Sequence, residues 1–143
     1  MAVAQRIRPL DLFSREEWEH VSRRSNLLGT GSVVHAWVVI ALTISLAIWQ
    51  PVLIIIAIPI IGARQLGLAI LMHEAAHGGL HSNPRVNHFL GQWICAAPVG
   101  AHLRNYRDYH LTHHKYAQQD EDPDLILSKP FPVTRLSLRR KII

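Results

Sequence analysis

Cysteine is almost absent: Cys95 stands alone in 143 residues, so no internal disulfide can form. Its neighbours Trp93, Ile94 and Ala96 mark the thiol as buried and inert rather than reactive. Charge is missing where a soluble protein would scatter it. Between Ser32 and Met72 the only formal charge is Arg64, a concentration of apolar residues that excludes an ordinary soluble core and describes a bilayer-crossing region. A cleaved signal peptide is a poor alternative, because the apolar region starts only at Ser32, runs too long and has no small-residue cleavage site close behind a short apolar stretch. The chain is basic, with a net charge of +5, yet no nucleic-acid-binding motif accompanies the charge, so no nucleic-acid partner is expected. Internal repeats and low-complexity tracts are lacking too.

What is present reads as an all-α integral membrane protein: a transmembrane hairpin with interfacial or cytoplasmic helices. Residues 1–31 form a surface segment in which Ser14-Arg15-Glu16-Glu17 is a capping-box pattern that opens a short helix. Residues 32–50 carry no charge, hold Trp37 and Trp49 towards their two ends, and meet the length of about 20 residues that a spanning helix needs. Pro51 breaks the helix. Residues 52–79 read as a second helix of about 40 Å, longer than the hydrocarbon core of about 30 Å, so one end should project into water. Asn83-Pro84 signals a turn, and residues 86–101, apolar but interrupted by His88, Gln92 and Pro98, read as an interfacial or re-entrant segment. A helix at 102–116 and a tail at 117–143 complete the chain.

Five arginines precede the two spans and nine basic residues follow them, whereas the turn at Gln50-Pro51 has none. The positive-inside bias therefore puts the N-terminus and everything after the second span on the cytoplasmic side, where a basic surface also suits the anionic inner leaflet. Arg64, nine positions from His73 and so half a turn away, is expected to snorkel or pair with backbone and not to face the residues that follow.

The second span ends in His73-Glu74-Ala75-Ala76-His77-Gly78-Gly79-Leu80-His81. Residues four apart share a helix face, with Cβ atoms about 6 Å apart, so His73 and His77 can turn their imidazoles on one ion or two neighbouring ones. His81 continues the stripe by another turn and is a further candidate, provided the two glycines do not end the helix first. The second cluster is His110-Leu111-Thr112-His113-His114, whose three imidazoles project within a narrow arc on a helix. Any one such histidine is an ordinary polar residue at a membrane exit; two spaced clusters in a short chain point to a metal site. Imidazole suits several first-row metals, so the spacing does not choose among them.

His73-Glu74-x-x-His77 is also the zinc-protease motif, with Glu74 as general base, and that reading stays open although it leaves the second cluster without a role. A calcium loop at Asp120, Asp122 and Asp124 is rejected, since Leu125 stands where glycine is needed and Phe131 where the closing glutamate belongs.

His73-x-x-x-His77 followed by His110-x-x-His113-His114 resembles the first two histidine boxes of the membrane fatty-acid desaturase and hydroxylase superfamily, and Asp122-Pro123-Asp124 resembles the acidic segment after the second box in bacterial members. The resemblance runs from Arg64 to Lys141. It implies that His73, His77, His110, His113 and His114 ligate a pair of irons, with no catalytic residue beyond the ligands. Glu74 then has a supporting or solvated role. It implies dioxygen as co-substrate, an external electron donor such as a ferredoxin or cytochrome, and a lipid acyl chain undergoing desaturation in a bacterial inner membrane. Hydroxylation or ketolation of another lipid, such as a carotenoid, is the nearest alternative within the superfamily; a non-catalytic metal-binding membrane protein lies outside it. The superfamily carries a third box, and no histidine follows His114 here. The expectation is an N-terminal portion of one domain, inactive on lipid by itself.

Overall fold

The computed structural model describes residues 8–129, 131 and 133–142, and all its regular structure is helical. Among the described residues seven α-helices follow one another: α1 Arg15–Val21, α2 Asn26–Trp49, α3 Ile54–Ala76, α4 Pro84–Phe89, α5 Leu103–Tyr116, α6 Leu125–Ser128 and α7 Arg135–Ile142. A π-helical stretch Leu90–Ala96 and a 3-10 turn Ala97–Val99 extend α4; further 3-10 turns lie at Pro9–Asp11 and Pro51–Leu53.

The capping box at α1 forms as its residues dictate, with Ser14 Oγ accepting from the Glu17 amide at 3.3 Å and the Glu17 carboxylate accepting from the Ser14 amide at 2.8 Å. The first long helix begins earlier than the uncharged stretch. Ser25 Oγ accepts from the Leu28 amide at 3.2 Å and starts α2 at Asn26 rather than Ser32. At the other end of the hairpin the second helix is shorter than the expected 52–79. A 3-10 turn takes up Pro51–Leu53, and α3 stops at Ala76 in a Schellman closure, the Gly78 amide donating to Ala75 O at 2.9 Å and the Gly79 amide to Glu74 O at 2.7 Å. Gly78 has φ 73°, a left-handed conformation that costs glycine little. At 23 residues α3 is about 35 Å long, so less of it projects than expected.

Both helices are apolar on every face, but α2 buries only a narrow stripe, Val33, Ala36, Ile40 and Thr43, against α3. Ile48, Ile55 and Leu66 remain 75%, 72% and 64% exposed. Water would not tolerate that surface on two such helices, each long and apolar enough to cross a membrane. The hairpin is built for lipid.

The segment after Asn83 packs back onto α3. Trp37 Nε1 donates to the Ile94 carbonyl of this segment at 3.1 Å. Trp37 thus sits mid-helix against protein and not at a span end as its position in the uncharged stretch implied. It lies about 16 Å along α2 from Asn26. Because Asn26 pairs with Ser82 by two hydrogen bonds, of 2.7 and 2.9 Å, the chain runs from the head of α2 down to the level of Trp37 and returns to α5. Cys95, fully buried in this segment, has its thiol pushed up to about 11 by burial, as an inert thiol should be. The tail is not featureless, since it contains α6 and α7.

Candidate metal centre

Three polar side chains and one glycine bring the ends of α3 and α5 together. Asn87, buried, accepts at Oδ1 from the Leu80 and His81 amides at 3.1 and 3.3 Å and donates from Nδ2 to Ala75 O at 2.9 Å, so it holds the last turn of α3 and the loop leaving it. Gln92 Oε1 accepts from the Leu103 amide at 2.9 Å and so satisfies the first turn of α5. The Arg107 guanidinium donates to Ala76 O, placing a cation on the carbonyl end of α3. A Cβ at Gly91 would come within 2.4 Å of Ala75 Cβ and 2.9 Å of Leu103 Cδ2, so only glycine lets these segments approach so closely.

The result is a knot of imidazoles. His73 in the last turn of α3, His77 at its C-cap, and His110 and His114 on α5 each offer a ring nitrogen within 4.8 Å of the others. His77 Nε2 and His114 Nε2 each lie 2.9 Å from His110 Nε2. An imidazole nitrogen has one in-plane site, so His110 Nε2 cannot form two good hydrogen bonds there. Ligands at right angles around a metal with bonds of about 2.0–2.1 Å would be about 3 Å apart. The donor set therefore fits a shared cation better than a hydrogen-bonded triad.

Protonation favours the same use. Burial, followed by the charges of His73, His114, His77 and His113, brings His110 down to about 4; burial, then His73 and His114, lowers His77. Both are neutral at pH 7, with lone pairs free for a metal. The Tyr106 ring stacks on His110 at 5.2 Å and an interplanar angle of 9°. His73 Nδ1 lies 3.1 Å from Glu74 Oε1, the carboxylate contact that fixes the orientation of a ligating histidine.

The five expected ligands do not converge on one point. His113 stands apart, its ring centroid 6.3 Å from that of His110, and forms a second group with Asp122 and Asp124. Its Nδ1 lies 2.8 Å from Asp122 Oδ1 and 3.4 Å from Asp124 Oδ2. Asp122 is 4% exposed and also accepts from the Gln118 and Asp124 amides at 2.8 and 2.9 Å. Burial alone would raise its pKa, but the hydrogen bonds from His113, Gln118 and Asp124 outweigh burial and lower it; the bond to Asp122 in turn raises His113. With Nδ1–H donated to Asp122, His113 presents its lone pair at Nε2. The acidic segment thus orients a box histidine, a link that the spacing of nine residues did not reveal.

His81 leaves the stripe. The left-handed Gly78 turns the chain before it, and His81 Nδ1 accepts from the Asn83 amide at 2.9 Å, outside the cluster. Arg64 also lies away from the cluster, on a groove between α2 and α3 that His35 shares. The sequence reading missed Asn87 and Arg107, and took Gln92 only as an interruption of an apolar run; a polar side chain inside such a run was the available signal.

Fold and site together define a helical membrane protein in which histidines able to hold a metal gather where two helices end. The family model described as fatty acid desaturase matches residues 47–141, and the chain belongs to that family. It is 31% identical over 104 residues to a beta-carotene ketolase of Paracoccus sp. (strain N81106 / MBIC 01143), a match that covers 70% of this chain and 43% of the ketolase. A dihydrorhizobitoxine desaturase of Bradyrhizobium elkanii is 35% identical over 121 residues, 79% of this chain and 34% of the desaturase. A second beta-carotene ketolase, of Paracoccus sp. (strain PC1), is 32% identical over 103 residues, 69% and 43% of the two chains. The chain spans less than half the length of these relatives. No solved structure matches it.

Proposed function

We propose that the whole protein uses dioxygen to desaturate a lipid acyl chain at a pair of irons held by His73, His77, His110, His113 and His114. The observation that carries this reading is the meeting of four imidazoles from α3 and α5, with His113 beside them, at the end of an apolar hairpin. Bound iron would supply the dioxygen and one-electron chemistry that an unactivated C–H bond requires, which the acids and bases of the chain cannot provide. The chain's own part is to keep His77 and His110 unprotonated and to fix His73 through Glu74 and His113 through Asp122. The lipid-facing surfaces of α2 and α3 keep water from the acyl chain. Desaturation removes two hydrogens and, for each dioxygen reduced to two waters, needs two electrons and two protons from outside. A ferredoxin or cytochrome on the aqueous side is the proposed donor.

The basic flanks support a cytoplasmic N-terminus and cytoplasmic histidine boxes, in a bacterial inner membrane. Ketolation or hydroxylation of a carotenoid is a second reading, favoured by two beta-carotene ketolases among the relatives. The protease reading has less support: Glu74 contacts His73, and that reading gives no role to His110 and His114 beside the first pair.

The test compares membranes carrying the full-length gene product with membranes carrying its His110→Ala form, with reductant present, under dioxygen and under nitrogen, by mass spectrometry of acyl chains and added carotenoid. Dioxygen-dependent loss of two mass units from acyl chains, absent in the variant, supports desaturation; gain of oxygen on the carotenoid selects the second reading. No change in either lipid would leave a metal-binding membrane protein without this chemistry.

A further inference from the structure

Beside the histidine cluster, sharing only His77 with it, lies a cavity of about 390 Å³ between the residues leading into α2, the loop after the first box, α4 and α5. Arg24, Arg104 and Arg107 line it, together with His81, His88 and one side of His77, and no aspartate or glutamate does. Like charges gathered in one concavity repel, and proteins ordinarily place carboxylates among them. None of the three guanidiniums takes part in an ion pair among the described residues, where the arginine pairs are Arg8–Asp11 and Arg15–Glu19.

The three arginines are exposed, and two of them have neighbours that place them. Arg107 is fixed by its bond to Ala76 O, which uses one of five donors and leaves the rest. Arg24 lies over the left-handed Gly78, close enough that a Cβ there would come within 3.4 Å of its guanidinium. His81 accepts at Nδ1 from the Asn83 amide, so its neutral form carries the proton on Nε2 and donates there. Ser82 and Asn87, each held by the hydrogen bonds described above, complete the lining. Guanidiniums and an N–H donor without a competing carboxylate are the chemistry of oxyanion recognition, above all of phosphate.

We propose that this cavity is a phosphate-binding site, bordering the histidine cluster at His77 but held by residues other than the ligands, at the level where the hairpin's helices meet the aqueous phase on their basic side. The phosphate belongs either to a lipid headgroup or to a free phosphate ion. In both cases its negative charge lies next to His77 and offsets the three guanidiniums.

The experiment uses the full chain in detergent micelles. Inorganic phosphate is titrated against delipidated protein and followed by calorimetry, and phospholipid retained after purification is measured by native mass spectrometry. Arg24→Gln and Arg104→Gln should each weaken phosphate binding tenfold or more, whereas Arg85→Gln, outside the lining, should change it less than twofold. Retained phospholipid that falls in the same two variants, and that added phosphate displaces, assigns the site to a headgroup; phosphate binding with no lipid retained assigns it to the free ion. Helicity by circular dichroism and metal uptake, unchanged in both variants, separate loss of the site from loss of the fold. Binding that Arg85→Gln weakens as much as Arg24→Gln does, or no binding of either kind by the wild-type chain, overturns the proposal whatever the metal content.

Discussion

Replacing Asn87 by alanine should be among the most damaging single changes outside the histidines. The side chain is 7% exposed and serves three backbone groups: the Leu80 and His81 amides and the Ala75 carbonyl. A net hydrogen bond is worth about 0.5–1.5 kcal/mol, and a buried group left unpaired costs about 1–3 kcal/mol. Three orphaned groups, with water reaching some of them, add to about 3–5 kcal/mol. The loss falls on the last turn of α3 and the loop that follows it, so His77 should lose its place while the α5 histidines keep theirs. Asn87→Asp keeps the two acceptor contacts but sets a buried carboxylate oxygen against Ala75 O, so it should cost at least as much. Thermal unfolding of the purified chain in micelles, followed by circular dichroism, measures the stability; equilibrium dialysis against cobalt or iron measures the site. If Asn87→Ala unfolds within about 1 kcal/mol of wild type and binds metal as tightly, the claim that this amide organises the first box is wrong.

Three further outcomes follow from the same geometry. Asp122→Asn should weaken metal binding about 10–100-fold, the usual cost of losing a carboxylate behind a ligating histidine, and should have little added effect in a His113→Ala background; equal effects in both backgrounds would show that Asp122 acts elsewhere. In the metal-free chain His110 is held at about 4, below the ordinary 6.5, so the unfolded chain takes up the proton first and stability falls as the pH drops from about 6.5 towards 4. His113, raised by Asp122, works in the opposite direction, so the decline should be steeper in His113→Gln, and a His113→Gln chain as stable at pH 5 as at pH 7.5 would refute the assignment. Single cysteines at Gln50 and Arg85 in a Cys95→Ala background should label differently with an impermeant thiol reagent outside intact cells, and labelling at Arg85 alone would reverse the proposed orientation.

The parts of the molecule governed by short-range periodicity were legible in the chain. His73 and His77 are four apart, the three histidines of the second cluster fall within one narrow arc, and an uncharged run that long has little choice but helix in lipid. What escaped depends on contacts that spacing cannot carry. Asn87 reaches back twelve residues to Ala75, Gln92 forward eleven to Leu103 and Arg107 back thirty-one to Ala76. Trp37 was misplaced because the carbonyl it serves, at Ile94, lies fifty-seven positions on. His81 left the cluster because the glycine pair ends α3, as the sequence allowed but did not decide. His113 shares α5 with His110 and His114, but its offset of about 60° from His110 lets it face a carboxylate loop instead of the knot.

The central claim is that both boxes build one metal centre, and metal content tests it most directly. Elemental analysis of the full-length protein should find about two irons per chain, a number two adjoining groups of ligands can hold. His110→Ala should deplete them as strongly as His73→Ala does, because His110 Nε2 lies at the middle of the knot, 2.9 Å from two of its neighbours. A single zinc that survives His110→Ala intact would contradict the account.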